Sequence, residues 1–232
     1  MGTINDNINN ITAIIKRICD TKGIDYKNIT IVAVTKTIDT NMIKEAINLG
    51  ITDIGENKAQ EIISKYEDIK DIANIHLIGH LQSNKVKSII DKVKLIHSVD
   101  SLSLMKEINK RAIKAEVIAN ILIQVNVAEE DTKFGIAMDE IESFLVNASS
   151  FDNIRVKGLM TIAPFAEKPE DVRYVFKALK EKYDELSIKK LKNVEMKYLS
   201  MGMTNDFQIA LEEGSNMIRV GTAIFGKRVY NR

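Results

Sequence analysis

The chain has 232 residues, 45% hydrophobic and 28% charged, which is ordinary for a globular protein and enough to bury a substantial core. Lys plus Arg number 33 and Asp plus Glu 32, so the basic excess that a nucleic-acid partner needs is missing. No apolar run approaches the roughly 20 residues of a membrane span, the opening MGTINDNINN lacks the charged-then-apolar layout of a signal peptide, and the lone Cys19 has no partner for an internal disulfide. The expectation is a cytoplasmic protein.

Ile4, Ile8, Ile11, Ile14, Ile15 and Ile18 recur at three- and four-residue steps, the mark of an amphipathic first helix, and Gly23 ends it. Cys19 falls in the same pattern and reads as a buried structural thiol. Short apolar runs then alternate with helical patterns. Ile31–Val34 precedes a helix through Met42–Leu49, Asp53–Gly55 one through Ala59–Tyr66, Ile75–Ile78 one near Lys85–Lys92, and Leu95–His97 one through Leu102–Lys114. Asn120–Val127 leads to a helix through Met138–Ala148, and Val156–Met160 to a long one around Pro169–Leu186. Tyr198–Leu199 and Met217–Val220 complete the series. Strict alternation over eight strands predicts an α/β fold with a parallel sheet, closed as a (β/α)8 TIM barrel with an extra N-terminal helix. An open doubly wound sheet is the alternative, but it usually has a Gly-rich turn after its first strand; here that turn is Thr35-Lys36-Thr37. No linker or low-complexity tract interrupts residues 1–232, which are read as one domain.

Chemistry in such folds sits at the C-terminal ends of the strands, and Lys36 stands just past the first. Its amine attacks an aldehyde only when neutral, and partial burial favours that state, so Schiff-base chemistry is one reading and a solvated strand-end lysine the other. The far end of the chain decides between them. In NMIRVGTAIFG a short strand runs into Gly221-Thr222-Ala223, where glycine permits close approach and the following N–H groups can cradle a phosphate. Just upstream, YLSMGMTNDF puts Ser200 and Gly202 at another strand-to-helix junction. Loops after strands seven and eight of a barrel commonly build a phosphate site, and closure brings them to the first strand. An aldehyde carrying a phosphate fits both ends; pyridoxal 5′-phosphate (PLP) is such a molecule.

The other strand ends are polar or small: Asp53-Ile54-Gly55-Glu56-Asn57, then HLIGHLQSNK, then Asp131-Thr132-Lys133-Phe134-Gly135, then Gly158-Leu159-Met160-Thr161. Taken in order, VAVTKT, GEN, IGHLQSNK, TKFG, KGLMTI, LSMGM and IRVGTAIFG resemble the pyridoxal-phosphate homeostasis protein family essentially end to end. The resemblance implies a barrel akin to the N-terminal domain of alanine racemase, like fold type III PLP proteins, with PLP at its C-terminal mouth. It implies Lys36 as the Schiff-base lysine, Asn57 beside the ring, Ser200 and the Gly221-Thr222 pair at the phosphate, and Arg219 at the pyridine nitrogen. It also implies a role in vitamin B6 and amino-acid homeostasis, with PLP-dependent apoenzymes as recipients and no substrate-transforming reaction. Thr35, where serine is common, and His80, at a variable position, are mild departures.

Plainer roles remain for these residues. Asn57 can cap the following helix, Ser200 can be a cap or turn residue, and Arg219 can belong to a structural ion pair. His76 and His80 read as structural, and no His, Cys and carboxylate spacing suggests a metal. Two rival activities share the barrel. A racemase needs acid/base groups on both faces of its substrate adduct, and a chain ending at Arg232 leaves no room for the additional domain that serves the second face in alanine racemase. The same feature gives the expectation of a monomer. A lysine-dependent aldolase generally carries its lysine on a later strand than the first. Lys133 is a second amine expected near the same mouth.

Overall fold

Thr30 pairs with Met217 and Val32 with Arg219, so the last strand of the sheet lies against the first and the sheet closes on itself. The computed structural model describes residues 2–130 and 132–226. Asp131 and the chain end at Arg232, both used in the sequence reading, lie outside them. The eight parallel strands are β1 (Thr30–Val34), β2 (Asp53–Glu56), β3 (Asn74–Leu77), β4 (Leu95–Val99), β5 (Ala119–Gln124), β6 (Ile154–Met160), β7 (Val194–Met203) and β8 (Met217–Val220). They pair in chain order around a closed barrel, as the alternation of the sequence predicts. The helices are α1 (Ile4–Lys22), α2 (Thr40–Asn48), α3 (Ala59–Ile69), α4 (Leu102–Lys114), α5 (Ile141–Ala148), α6 (Arg173–Ser187), α7 (Phe207–Glu212) and α8 (Thr222–Phe225).

The extra helix α1 is locally well specified. The Thr3 hydroxyl accepts the Asp6 N–H at 3.2 Å while Asp6 Oδ2 accepts the Thr3 N–H at 3.0 Å, a reciprocal cap. Gly23, at φ 66°, takes the left-handed conformation that ends the helix. Ile4, Ile8, Ile11, Ile15 and Ile18, with Cys19, are buried against Phe207 and Leu211 of α7, Ile224 of α8, and Ala33, Ile218 and Val220 of the barrel wall. Each such isoleucine contributes roughly 1.5–3 kcal/mol of burial. The helix therefore backs the β1–β8 seam, where Lys36 and Arg219 are carried.

Side chains alternate across each strand. Ile31 and Ala33 of β1 pack outward with α1, whereas Val32 and Val34 point inward. Inside the barrel Val32, Ile78, Leu95, Leu122, Met160 and Met217 form an apolar cluster. The same parity aims Lys36 inward, two residues past the end of β1.

Four elements differ from the sequence reading. β7 runs for ten residues, so Ser200 and Gly202 lie within the strand and not at its closing turn. The segment after β3 is a 3-10 helix, Ser83–Ser88, where a helix near Lys85–Lys92 is expected. β5 stops at Gln124, and Val125 makes only an isolated bridge to Ile136. The turn after β8 winds into the short α8. Among the described residues, no helix is long and apolar enough to cross a membrane.

Candidate cofactor site

A cavity of about 470 Å³ opens at the C-terminal mouth, lined by Lys36 and Val34 after and within β1, Arg219, Gly221 and Thr222 from the β8 end, Met203 to Asp206 after β7, Lys133, and the segment Ile162 to Ala166 after β6. The size suits one small molecule. Lys36, Lys133 and Arg219 outnumber Asp206 among its charged groups, so the lining favours an anion.

Lys36 is held by its neighbours. The Thr35 hydroxyl donates to Glu56 Oε1 at 2.7 Å, and Lys65 of α3 donates to both Glu56 Oε1 and the Thr35 carbonyl, each at 2.8 Å. On the other side the Thr37 N–H donates to Glu61 Oε1 at 2.9 Å, with Thr37 itself at φ 62°, a left-handed conformation uncommon for a β-branched residue. The turn carrying Lys36 is thus pinned before and after the lysine. Glu56 is fully buried, and its Oε2 has no hydrogen-bond partner. Burial drives its carboxyl above the ordinary range, against the opposing hydrogen bonds from Lys65 and Thr35.

Arg219 is 3% exposed. Its Nη1 donates to Ser200 Oγ at 2.6 Å and its Nη2 to the Thr161 carbonyl at 2.8 Å. Burial pulls the guanidinium down to about 10, while the Asp206 carboxylate opposes that shift, so it remains a cation at neutral pH. Asp206 accepts the Met203 N–H at 2.6 Å, shaping the turn after β7, and burial raises its carboxyl. At the β8 end the Gly221 N–H donates to Thr204 Oγ1 at 3.4 Å. Thr222 begins α8, and the leading N–H groups of a helical turn lack intrahelical acceptors.

Lys36, Arg219, Gly221 and Thr222 are therefore brought together, and Lys133 joins them. Ser200 and Asn57 are not. Ser200 is fully buried, with its hydroxyl engaged by Arg219 and by His97 at 3.1 Å, beneath the cavity rather than on its lining. Asn57 lines a separate hollow with Lys58, His80, Gln82 and Lys85. The capping alternative for Asn57 fails, because Lys58 occupies the N-cap position of α3 without a side-chain cap bond. The ion-pair alternative for Arg219 also gives way to hydrogen bonds with a hydroxyl and a carbonyl. His80 faces Asp100 at 3.3 Å and stacks on Phe134 at 3.8 Å between ring centroids. Among the described residues no group of three or more His, Cys, Asp and Glu gathers as a metal site.

Sequence reasoning missed Glu56 and Lys65, which fix the lysine turn, and Asp206. It also set His76 aside and passed over His97, whose tilted rings share a hydrogen bond inside the barrel at 2.9 Å between ring nitrogens. Their signal was present in strand parity: each occupies an inward position of its strand, where a barrel core normally takes a branched aliphatic residue.

The donor set fits an aldehyde that carries an anionic group: two amines, Lys36 and Lys133, one fixed guanidinium and a small-residue turn at the mouth. Comparison with known proteins points the same way. The sequence profile of the alanine racemase N-terminal domain matches residues 8–229. The pyridoxal phosphate homeostasis protein of Aquifex aeolicus (strain VF5) is 42% identical over 217 residues, covering 93% of this chain and 94% of that one. An unknown protein from Bifidobacterium adolescentis superposes with a TM-score of 0.91 at 32% identity, covering 96% of this chain and 94% of the other. PipY of Synechococcus elongatus PCC7942, in its PLP-bound structure, superposes with a TM-score of 0.79 at 29% identity, over 92% of this chain and all of PipY. With its barrel, its lysine–arginine mouth and relatives matched over almost their full length, this chain belongs to the pyridoxal phosphate homeostasis proteins, within the family defined by the alanine racemase N-terminal domain.

Proposed function

We propose that the chain binds PLP at the C-terminal mouth, covalently through Lys36, and serves PLP homeostasis as a carrier rather than a catalyst. The observation that carries the reading is the convergence of Lys36 and Arg219, from opposite ends of the sequence, on one cavity. When bound, PLP supplies a reactive aldehyde that joins an amine reversibly, and free PLP would attack any exposed amine. In this reading Lys36 holds the aldehyde carbon as a Schiff base and Arg219 donates to the ring nitrogen. Thr222 and the Gly221 turn meet the phosphate, and Ser200 acts from below by anchoring Arg219. Asn57, which the family resemblance would set beside the ring, lines a separate hollow.

The carrier reading draws support from the other titratable groups of the cavity, which are already engaged. Asp206 accepts a main-chain N–H through one oxygen, and Lys133 pairs with Glu130 at 2.9 Å, so each would first have to give up a partner to serve as a second acid/base. In the same proposal the chain acts as a single-domain cytoplasmic monomer that hands PLP to apoenzymes. The test is direct. Purified protein loaded with PLP should show a yellow band that borohydride abolishes, and peptide mapping should place the reduced adduct on Lys36. A colourless protein that cleaves sugar phosphates would overturn the reading.

A further inference from the structure

Inside the barrel, four side chains continue from Arg219 toward the opposite mouth, and the cofactor reading uses only the first of them. Arg219 Nη1 donates to Ser200 Oγ at 2.6 Å, and Ser200 Oγ lies 3.1 Å from His97 Nδ1 of β4. His97 Nε2 lies 2.9 Å from His76 Nδ1 of β3, and His76 Nε2 lies 3.0 Å from Asp53 Oδ1 of β2. The five groups come from five strands. Ser200, His97, His76 and Arg219 are all buried, while Asp53 and His76 reach a second cavity, of about 200 Å³, at the N-terminal mouth.

Donor and acceptor counting gives the file a direction. A guanidinium can only donate and a carboxylate can only accept. Ser200 therefore accepts from Arg219 and has its own hydrogen to give to His97 Nδ1. His97 then carries its proton on Nε2 and donates to His76 Nδ1, which leaves the His76 Nε2–H for Asp53. Every donor meets an acceptor with both rings uncharged. The opposite direction starts with a His97 Nδ1–H on Ser200 and a His76 Nδ1–H on His97. It then needs a second proton on His76 to meet Asp53, which makes a buried imidazolium. The surroundings of His97 and Asp53 favour a neutral His97 and an ionised Asp53, as the first arrangement requires of those two groups. Burial, then the nearby His76 and Arg219, holds the His97 imidazole well below its ordinary range. Burial alone would raise the Asp53 carboxyl, but hydrogen bonds from His76 and Thr52, the charge His76 carries when protonated, and a hydrogen bond from Asn74 outweigh it and keep the group an acceptor.

We propose that Arg219, Ser200, His97, His76 and Asp53 form one directional hydrogen-bond file, each donating to the next, and that His97 is a positioning residue holding Arg219 on the pyridine nitrogen of the cofactor. The ring contact rests on the PLP reading above; the direction of the file belongs to the chain alone. His97 orients the Ser200 hydroxyl so that a lone pair faces Nη1. Without His97 the hydroxyl turns freely and Arg219 keeps only its bond to the Thr161 carbonyl.

Two measurements test this. The chain has three histidines, so nitrogen-15 spectra of the cofactor-free protein can report the state of each ring. His97 is expected as the neutral Nε2–H form at neutral pH; an Nδ1–H or doubly protonated His97 overturns the direction. The second measurement is equilibrium binding of PLP and of 1-deaza-PLP, in which C–H replaces the ring nitrogen. His97→Phe is expected to weaken PLP about tenfold, the size of one charge-assisted hydrogen bond, and to change 1-deaza-PLP by less than about twofold. Equal loss for both cofactors, or no loss for PLP, overturns the positioning role. Asp53→Asn, at the part-exposed end, keeps the side-chain volume and decides the case if His97→Phe does not fold. A roughly threefold loss for PLP alone is expected, and unchanged PLP binding overturns the role. A wild-type protein that binds neither cofactor removes the PLP reading, while the histidine spectra still judge the file.

Discussion

Lys65 of α3 reaches through the barrel wall to donate to the main-chain carbonyl of Thr35, 2.8 Å away and one residue before Lys36. The same ammonium donates to Glu56, whose carboxylate also takes the Thr35 hydroxyl. An outer helix thereby sets the backbone from which Lys36 projects inward. With 11% of the Lys65 side chain and none of Glu56 exposed, this is a buried ion pair. Removing one partner leaves the other uncompensated.

Lys65→Met should therefore destabilise the fold by about 3 kcal/mol, read as a shift in denaturant midpoint. It should also slow PLP attachment, because the Lys36 turn loses an anchor. The pH dependence carries a second signature. A carboxyl whose folded-state pKa is raised binds more protons folded than unfolded, so its contribution to stability falls as pH rises from the ordinary carboxylate range through the raised value. Lys65 opposes that raise in Glu56. The fall should be steeper in Lys65→Met than in wild type, and parallel stability–pH curves would show that the pair does not couple.

Lys36→Ala is expected to weaken and slow PLP binding without abolishing it. The phosphate and ring contacts remain, and Lys133 lines the same cavity. Borohydride reduction and peptide mapping of the variant should find any residual adduct on Lys133. In the native protein the adduct is expected on Lys36, and a different address there would displace the central assignment.

At the phosphate end, Thr222→Ala removes one hydroxyl and leaves the backbone donors, so the expected loss of PLP affinity is about 1–3 kcal/mol. Gly221→Val should cost more, since a branched side chain obstructs close approach of the backbone. Both effects should be far smaller for pyridoxal, which has no phosphate. Equal affinity of the wild-type protein for pyridoxal and PLP would move the phosphate site away from Gly221 and Thr222.

The residues that proved legible in the sequence are those whose position follows from strand parity and barrel closure. Lys36 is inward because Val32 and Val34 are, and Arg219 is its neighbour because β8 must pair with β1. Ser200 was harder to place. Its depth depends on β7 continuing to Met203, and glycine at 202 imitates a turn in the sequence while in the structure it sits within the strand at φ 92°. A Cβ there would lie 2.6 Å from that of Ala210, so the glycine serves the packing of α7 rather than a turn. The His97–Ser200 contact joins residues 103 apart in sequence, and local spacing carries no trace of such a pairing. The Glu56–Lys65 clamp was hidden for a different reason: a lysine on an outer helix looks solvated until the wall residue it reaches is known.

Arg219 also bears on why this protein should turn over amino acids poorly. PLP enzymes that use the ring fully as an electron sink usually set a carboxylate at the pyridine nitrogen and keep it protonated. Arg219 is a cation that only donates, and its two bonds, to Ser200 and Thr161, fix it as such. A ring nitrogen that accepts from it stays unprotonated and withdraws electrons less strongly. Asp206, the cavity's carboxylate, is tied to the Met203 N–H on the neighbouring turn. In the proposed binding mode, proton removal at the α-carbon of a bound amino acid would have a weak electron sink, and among the described lining residues Asp206 and Lys133 already hold hydrogen-bond partners. Racemase, transaminase and decarboxylase turnover with common amino acids should be negligible. Deuterium exchange at the α-carbon is the sensitive measurement, because it registers proton abstraction without net reaction. Slow exchange, no faster than with free PLP, is expected, and rapid exchange that disappears in Lys36→Ala would make the protein an enzyme.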